Sequence, residues 1–299
     1  MLFDLKVIKN AFYYFLRKTN MLLYGKELAE KIILDIRAKI KKSGITPHLG
    51  IIVAGHSESS KIYIKKKVEA AKRAGIKTKI FQFRQRTTES ELLALIKRLN
   101  VNKKINGFII QLPLPLHINE NKIIEAINPK KDVDGFHPLN VGKIQLALNQ
   151  DAFLPATAAG ILRLLDYYKI QISGANAVVV GRSNIVGKPV GLMLLQRNAT
   201  VTICHSKTKN LDQYTKKADI LIVAIGKPFF IKPDMIKKGA YVIDVGITRM
   251  GRRVVGDVAI EVQKKAHVSP VPGGIGPLTV AMLLENVVKA CLTEQSNKL

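Results

Sequence analysis

The sequence predicts an α/β fold with two doubly wound domains, each built on a parallel sheet covered by helices. Short apolar segments, typical of buried strands, alternate with amphipathic helical segments along most of the 299 residues. A turn-rich stretch over residues 128–155 interrupts this alternation, and a chain of this length is sufficient for two cores. We predict a first domain at 21–157, completed by a C-terminal helix at 277–299, and a second, Rossmann-like domain at 158–276.

The first domain contains three predicted strands separated by helices. The segment 49–55 is an uninterrupted apolar run, which indicates a strand buried on both faces. The predicted elements, in chain order, are a helix at 23–42, a strand at 49–55, a helix at 60–74, a strand at 78–83, a helix at 90–99, a strand at 107–112 and a short helix at 121–127.

The second domain repeats the alternation and contains four predicted strands. It opens with a helix at 157–168, and its strands lie at 175–181, 199–203, 220–224 and 241–245. A glycine-rich segment at 270–276 precedes the last helix, 277–291. Pro277 favours a helix start there, because the first helical residue needs no intrahelical N–H donor.

The composition is strongly basic, with a formal net charge of +26. A nucleic-acid-binding protein is one interpretation, but the lysines are spread along the chain, and no tryptophan is available for stacking on bases. The two cysteines match no disulfide or metal spacing, which favours a reducing, cytoplasmic location. No apolar run is long enough to predict a membrane span. Residues 1–20 are predicted to be an extension outside the fold.

Lys67 is the residue that most directly indicates chemistry. At 100° per residue it falls within the apolar arc of the helix 60–74, one turn after Tyr63, whereas Lys65 and Lys66 fall on the charged arc. Burial would lower the pKa of this lysine towards a value useful for proton transfer. The alternative is a lysine whose stem packs while its ammonium reaches water.

The segment that starts at Gly181 resembles a dinucleotide-binding turn, although it is not G-x-G-x-x-G. Gly181 allows a tight turn after a strand, and Gly187 allows the next helix to approach, so that its first amides face an anion. The following strand leads into 204–209, which lacks the carboxylate typical of NAD sites. With Arg182 nearby, the pattern favours NADP over NAD. The alternative is a solvated basic loop.

Two polar residues follow the third strand of the first domain. Gln111 comes at the carboxyl end of that strand, where ligands of open α/β sheets bind. Asp134 lies further on in a loop and precedes Gly135, so that it is equally consistent with an ordinary turn. Each residue is a ligand contact or a satisfied loop residue.

These segments together resemble the bifunctional methylenetetrahydrofolate dehydrogenase/cyclohydrolase family over essentially all of residues 21–293. Five motifs in the family's order carry the resemblance, and they comprise Tyr63-x-x-x-Lys67, the Gln-Leu-Pro-Leu-Pro at 111–115, the Lys-Asp-Val-Asp-Gly at 131–135, the Gly-Arg-Ser-Asn-Ile-Val-Gly at 181–187 and the Pro-Gly-Gly-Ile-Gly-Pro-Leu-Thr at 272–279. The segment 155–160 departs from the family's usual Pro-Cys-Thr-Pro, which affects a predicted hinge.

The resemblance implies a role for each candidate residue. Lys67 is implied to be the central catalytic residue, with Tyr63 stacking on the folate, Gln111 tuning Lys67 and Asp134 holding the pterin. The other residues implied to bind the folate are Ile110, Leu112, Pro272, Gly273, Gly274, Ile275 and Gly276. Those implied to bind NADP are Gly181, Arg182, Ser183, Ser206 and Ile247.

The resemblance also implies the activity and the assembly. The enzyme would oxidise 5,10-methylenetetrahydrofolate with NADP⁺ and hydrolyse the methenyl product to 10-formyltetrahydrofolate, without a metal, in a cleft between the domains. A cytosolic homodimer is implied, and the basic surface favours polyglutamylated folates. A different NADP oxidoreductase, such as a shikimate- or amino-acid-type dehydrogenase, is the alternative enzyme. It would not need Tyr63 and Lys67 on one helix face.

Overall fold

The structure is a computed structural model that describes residues 20–55, 58–251 and 253–296. The chain divides into two compact units. The first unit comprises Glu27–Gly160 and the chain from Pro277 onward, and the second comprises Ile161–Gly276 with the described residues up to Lys26. The predicted extension, residues 1–20, lies outside the described residues except for Asn20.

The first unit is built on a three-stranded parallel sheet in the order β2-β1-β3. The central strand and β3 are almost fully buried, whereas β2 at the edge is partly exposed. The elements are α1 (Lys26–Ser43), β1 (His48–Ala54), α2 (Glu58–Ala74), β2 (Lys77–Phe83), α3 (Glu89–Val101), β3 (Gly107–Ile110), α4 (Glu120–Glu125), α5 (Pro138–Gln145) and, after a 3₁₀ turn at Asn149–Asp151, α6 (Ala156–Tyr167).

The second unit is built on a five-stranded parallel sheet in the order β10-β7-β6-β4-β5. A short antiparallel hairpin, β8–β9, follows β7. The elements are β4 (Asn176–Val180), α7 (Gly187–Gln196), β5 (Thr200–Cys204), α8 (Leu211–Thr215), β6 (Ile220–Val223), β7 (Tyr241–Asp244), β8 (Thr248–Met250), β9 (Arg253–Val255) and β10 (His267–Val268), with 3₁₀ turns at Pro233–Met235 and Ile260–Lys264. Two sets of parallel strands with intervening helices confirm the predicted α/β class.

The first helix begins later than predicted, at Lys26 instead of residue 23. Leu22 forms a bridge with Val268, and the Leu23 N–H donates to the Val268 carbonyl at 2.9 Å. These residues are extended because their backbone groups are bonded to β10, a partner that helical periodicity cannot reveal.

The stretch 128–155, predicted as turns, contains the helix α5. Pro138 occupies its first turn, and the His137 side chain caps it by accepting the Leu139 N–H at 3.0 Å. The last helix, α9 (Ile275–Ser296), begins two residues before the predicted Pro277. Proline is tolerated there because the first four N–H groups of a helix have no intrahelical acceptor.

Helix α9 is long and apolar enough to span a membrane by length and composition, which corrects the expectation that no segment has this length. More than half of its most apolar stretch is buried inside the protein. Leu278, Leu284 and Val287 are among its fully buried side chains. This burial is typical of the core helix of a domain.

Candidate active site

Lys67 is buried on α2, with 8% of its surface exposed, while Lys65 and Lys66 are exposed. Its Nζ donates to Gln111 Oε1 at 3.1 Å. The lysine is therefore on the apolar face, as the helical period predicts, and its amine is bonded inside the protein. An ammonium that reaches out to water does not describe this side chain.

Gln111 points its side-chain oxygen at Lys67 because its backbone N–H and its side-chain NH₂ are both hydrogen-bonded to carbonyl groups. Its backbone N–H donates to the Ile52 carbonyl at 2.8 Å, which continues the pairing of β3 with β1. Its Nε2 donates to the Leu112 carbonyl at 2.9 Å. The side-chain amide is therefore oriented before any ligand binds, with Oε1 as the acceptor for the lysine.

Asp134 lies in a tight turn that directly follows a short segment, residues 131–132, that runs beside β3. The Phe108 N–H donates to the Lys131 carbonyl, so this segment runs beside β3. The Asp132 carboxylate accepts the Gly135 N–H at 3.1 Å and the His137 N–H at 2.8 Å, which closes the turn around Asp134. A side chain at residue 135 would collide with the Phe153 carbonyl, so glycine is required there.

Lys67 and Asp134 influence each other's protonation. Burial lowers the pKa of Lys67, and the charge of Asp134 partly offsets this effect. Burial raises the pKa of Asp134 to about 6, although Lys67 opposes the rise and Asp132 adds to it. Both groups therefore titrate closer to neutrality than in water, which is what proton transfer near neutral pH requires.

Tyr63 lies one turn before Lys67 and is partly buried, and burial raises the pKa of its hydroxyl. A small open pocket lies beside β3 in the same unit. Its lining includes Phe108, Ile110, Leu112, Asp134 and Phe136. The first-unit candidates therefore form two groups. Lys67 is bonded to Gln111 and lies one turn after Tyr63, whereas Ile110, Leu112 and Asp134 line the pocket.

In the second unit, the turn after β4 contains two glycines, Gly181 and Gly187, that pack closely against neighbouring backbone. A Cβ on Gly181 would collide with the Ala224 carbonyl, and a Cβ on Gly187 would collide with the Gly181 carbonyl. Gly181 also has φ = +130°, a conformation that other residues rarely adopt. Glycine is therefore required at both positions for the turn to pack this closely against the start of α7 and the residue after β6, and residues 182–184 between the two glycines are exposed.

Ser183 corrects one detail of this prediction. The Val186 and Gly187 N–H groups donate to Ser183 Oγ at 3.2 and 3.3 Å, and the Lys188 N–H donates to the Ser183 carbonyl. The first amides of α7 are thus bonded to Ser183 and do not face an anion directly. The role of Ser183 in binding NADP stays a prediction.

Strand pairing places Arg182 and Ser206 at the same edge of the sheet. Val180 on β4 pairs with Cys204 on β5, so each residue lies two positions beyond the same rung. Both side chains are exposed, and no carboxylate occurs in residues 204–209. Ile247 follows β7 at the same edge of the sheet and is also exposed. This edge therefore suits a nucleotide that carries an additional phosphate.

The glycine-rich loop at 272–276 is anchored within the second unit. The Gly25 and Lys26 N–H groups donate to the Gly273 carbonyl at 2.9 and 3.2 Å. The Gly274 N–H donates to the Pro270 carbonyl at 2.7 Å, and the Val271–Pro272 peptide bond is cis. Pro272 is exposed, whereas Gly274 and Ile275 are buried. The role of Pro272–Gly276 in folate binding stays a prediction, as does the cleft location.

Sequence reasoning missed Asp132, although the residue lies inside a motif that it identified. Asp132 is fully buried and, besides closing the turn, accepts Asn140 Nδ2 at 2.9 Å. Burial raises the pKa of this carboxyl, against the hydrogen bonds that it accepts. The adjacent Asp-Val-Asp-Gly pattern was the available signal, because two acidic residues so close seldom serve the same purpose.

Two family models match the chain. The catalytic domain of tetrahydrofolate dehydrogenase/cyclohydrolase matches residues 23–134, and the NAD(P)-binding domain of the same family matches residues 155–295. A bifunctional protein FolD from Acetivibrio thermocellus is 48% identical over 282 residues, which covers 92% of this chain and 98% of the relative.

Solved structures agree with these matches. A bifunctional FolD dehydrogenase/cyclohydrolase from Campylobacter jejuni superposes with a TM-score of 0.89 and 45% identity, covering 92% of this chain and all of the other. A Trypanosoma brucei dehydrogenase-cyclohydrolase, complexed with NADP and an inhibitor, gives a TM-score of 0.88 at 32% identity, covering 92% and 98%. The chain belongs to the tetrahydrofolate dehydrogenase/cyclohydrolase family.

Proposed function

We infer that this protein is a bifunctional enzyme of one-carbon folate metabolism. It oxidises 5,10-methylenetetrahydrofolate to 5,10-methenyltetrahydrofolate with NADP⁺, and it hydrolyses this product to 10-formyltetrahydrofolate. The family match over both parts of the chain supports the activity. The observation that supports the chemistry is the buried amine of Lys67. It donates a hydrogen bond to Gln111, and its pKa is lowered by burial and partly restored by the charge of Asp134.

NADP⁺, when bound, accepts the hydride that leaves the one-carbon unit of the substrate. The protein's contribution to this step is to hold donor and acceptor carbons close and aligned. Tyr63 offers a ring face one turn from Lys67 for stacking on the folate, and Asp134 offers a carboxylate to the N–H groups of the pterin. We propose that Arg182, Ser183 and Ser206 bind the phosphates and the ribose at the other end.

Hydrolysis requires that water attack the methenyl carbon, lose a proton, and release one ring nitrogen as the C–N bond opens. A neutral Lys67 amine can take one proton from the attacking water and return it to the departing nitrogen, and the second proton of the water leaves to solvent as the formyl C=O forms. The lowered pKa of Lys67 makes the neutral form accessible, and Gln111 fixes where its lone pair points. The dehydrogenase step does not need this proton transfer.

Both reactions can be followed in one absorbance experiment. Purified protein with methylenetetrahydrofolate and NADP⁺ should form NADPH, and added methenyltetrahydrofolate should lose its chromophore faster than in buffer alone. A protein that forms no NADPH and leaves the methenyl compound unchanged would contradict the proposed function.

The cofactor preference should change when a carboxylate is placed at Ser206. In Ser206→Asp we expect the KM for NADP⁺ to rise about 10- to 100-fold, because a hydrogen bond to a charged group contributes about 1.5–3 kcal/mol. The KM for NAD⁺ should fall, since the aspartate can accept the ribose hydroxyls. Ser173→Asp, an exposed serine before β4 and so at the opposite edge of the sheet, is the charge-matched control. Wild-type enzyme that uses NAD⁺ as well as NADP⁺ would contradict this prediction.

We propose that the substrate in the cell carries a polyglutamate tail. The support is the net charge of +26, with exposed Lys65 and Lys66 on the same helix as Lys67. At low salt, a triglutamate substrate should show a KM about threefold or more below that of the monoglutamate, and the difference should shrink as salt rises. Equal KM values at low salt would assign the basic charge another purpose.

We also propose that the enzyme is a cytoplasmic homodimer, as the family resemblance implies. Cys204 and Cys291 are buried and form no disulfide within the described part of the chain, which is consistent with a reducing compartment. Light scattering on the purified protein should give about twice the chain mass, and a monomer over the micromolar range would refute the dimer. Fractionation of cells should recover the activity with the cytoplasm.

A further inference from the structure

Two buried carboxylates in the second unit are not used by the proposed chemistry. Asp244 ends β7 and is 3% exposed, and Asp257 follows β9 and is 0% exposed. Burying a carboxylate is costly unless hydrogen bonds or charges compensate for the lost water. The hydrogen bonds that compensate for this cost therefore indicate what each carboxylate does in the fold.

Asp257 holds the loop that follows β6. Its Oδ2 accepts the Ile225 N–H at 2.7 Å and the Gly226 N–H at 2.9 Å. The backbone around Asp257 holds the same loop further along, because the Ile231 N–H donates to the Asp257 carbonyl at 3.0 Å. One short segment thus fixes both ends of residues 225–231.

This loop lies where a dinucleotide site is expected in such a sheet. The chain passes from β4 to β5 on one side and then crosses to β6 on the other side of β4. Ligands of open α/β sheets bind at this reversal, outside the carboxyl ends of the strands. Ile225 and Gly226 follow β6 there, next to Gly181, whose missing side chain abuts Ala224.

Asp244 holds the neighbouring loop and contacts the Asp257 segment. It accepts the Gly246 N–H at 2.9 Å, the Asp257 N–H at 2.9 Å and the Val258 N–H at 3.0 Å. A Cβ on Gly246 would collide with the Asp257 carboxyl, and a Cβ on Gly256 would collide with the Asp244 carboxyl, so each carboxyl packs against a glycine of the other's segment. Ile247, a predicted NADP contact, follows Gly246 directly.

We propose that Asp257 is a positioning residue for the NADP site, which fixes the Ile225 and Gly226 amides at the edge of that site. The inference rests on the proposed function, because it takes NADP as the ligand of this edge. Asp257 does not touch reacting atoms. It acts through the loop that borders the dinucleotide.

The carboxyl groups of Asp257 and Asp244 differ in how completely they are hydrogen-bonded. Among the described residues, Oδ1 of Asp257 is buried and has no hydrogen-bond partner. Burial raises the pKa of Asp244 to about 6, the three N–H bonds oppose the rise, and the Asp257 charge adds to it. Because the folded state raises the pKa of Asp244, the stability that its protonated form contributes is present below about pH 4 and is lost as pH rises to about 6.

The test measures NADP⁺ binding by calorimetry, which does not depend on turnover. Asp257→Ala removes the acceptor of both amides, and we expect the Kd for NADP⁺ to rise about 10- to 100-fold. Asp257→Asn keeps one acceptor oxygen for the two amides, so most of the affinity should return. Asp234→Ala, which removes an exposed carboxylate from the same unit, should bind like wild type.

A second measurement decides the matter even if Asp257→Ala does not fold. Thermal unfolding and NADP⁺ affinity of wild type and Asp257→Asn are compared at pH 7. The neutral amide oxygen of Asp257→Asn accepts the Ile225 and Gly226 N–H groups more weakly than a carboxylate does, so the positioning role predicts a Kd for NADP⁺ about threefold or more above that of wild type. A merely structural role would lower the unfolding temperature and leave the Kd unchanged. Wild type that does not bind NADP⁺ would refute the proposed function itself. Unchanged affinity in Asp257→Ala, or in Asp257→Asn where Asp257→Ala does not fold, would overturn only the positioning role.

Discussion

Replacing Lys67 by methionine should reduce cyclohydrolase activity by about 10²- to 10⁴-fold, the usual effect of removing a general acid–base. Methionine keeps the length and packing of the lysine stem and deletes only the amine. The dehydrogenase activity should fall less, because hydride transfer depends on alignment and not on a proton acceptor. Decay of the methenyl chromophore and formation of NADPH measure the two activities separately.

The control is Lys66→Met, the same change one residue earlier on α2, where the side chain is exposed. It should retain both activities with the monoglutamate substrate, which has no tail for Lys66 to attract. Lys67→Met should also fold and bind NADP⁺ like wild type, since removal of a buried amine relieves a desolvation cost. If both reactions survive in Lys67→Met, then Lys67 only packs in the helix and the proposed mechanism is wrong.

Replacing Asp134 by asparagine should lower kcat/KM for the folate by about 10- to 100-fold, because a hydrogen bond from the pterin to a charged group contributes about 1.5–3 kcal/mol. The Kd for NADP⁺ should not change. Asp35→Asn, an exposed carboxyl on α1, is the matched control and should behave like wild type.

The pH profile of wild type should show an acid limb near pH 6, where the Asp134 carboxyl ionises. Because the folded state raises this pKa, it binds the proton more tightly than the unfolded chain between about pH 4 and 6, so the contribution of Asp134 to stability is lost as pH rises through this window. Asp134→Asn should remove both effects. It should also let the pKa of Lys67 fall further, since the Asp134 charge holds it up. An acid limb that persists in the variant would contradict the assignment.

Much of the fold could be predicted from the sequence because strands and helices are selected by local patterns. The apolar runs that became β1, β4 and β6 are recognisable without any knowledge of their partners, and parallel pairing follows from the helices between them. The predicted bounds differ from the observed ones by a few residues at element ends. Those ends depend on caps such as His137 at α5, and not on periodicity.

In the candidate site, too, some residues could be identified from a local pattern, whereas their contacts could not. Lys67 could be singled out because a charged residue within an apolar arc violates the helical pattern, and the violation is visible locally. Its bond to Gln111 joins residues 44 positions apart, and nothing in either segment specifies the distance. The role of Ser183 as a cap for α7, and of Asp132 in closing the turn, also emerged only with the backbone in place.

The sequence by itself therefore determined the class of fold, the order of the longer strands and helices, the family resemblance and the identity of the chemically unusual residues, because each is written in short-range periodicity or a contiguous motif. The short elements α5, α8, β8, β9 and β10 lack such a pattern and were not predicted. Only the tertiary structure decided which groups meet. The Leu22–Val268 bridge and the hold of Asp257 on Ile225 and Gly226 join distant parts of the chain. Such pairings depend on burial and strand register summed over a whole sheet, and protonation depends on that burial. Neither quantity can be calculated from a local stretch of sequence.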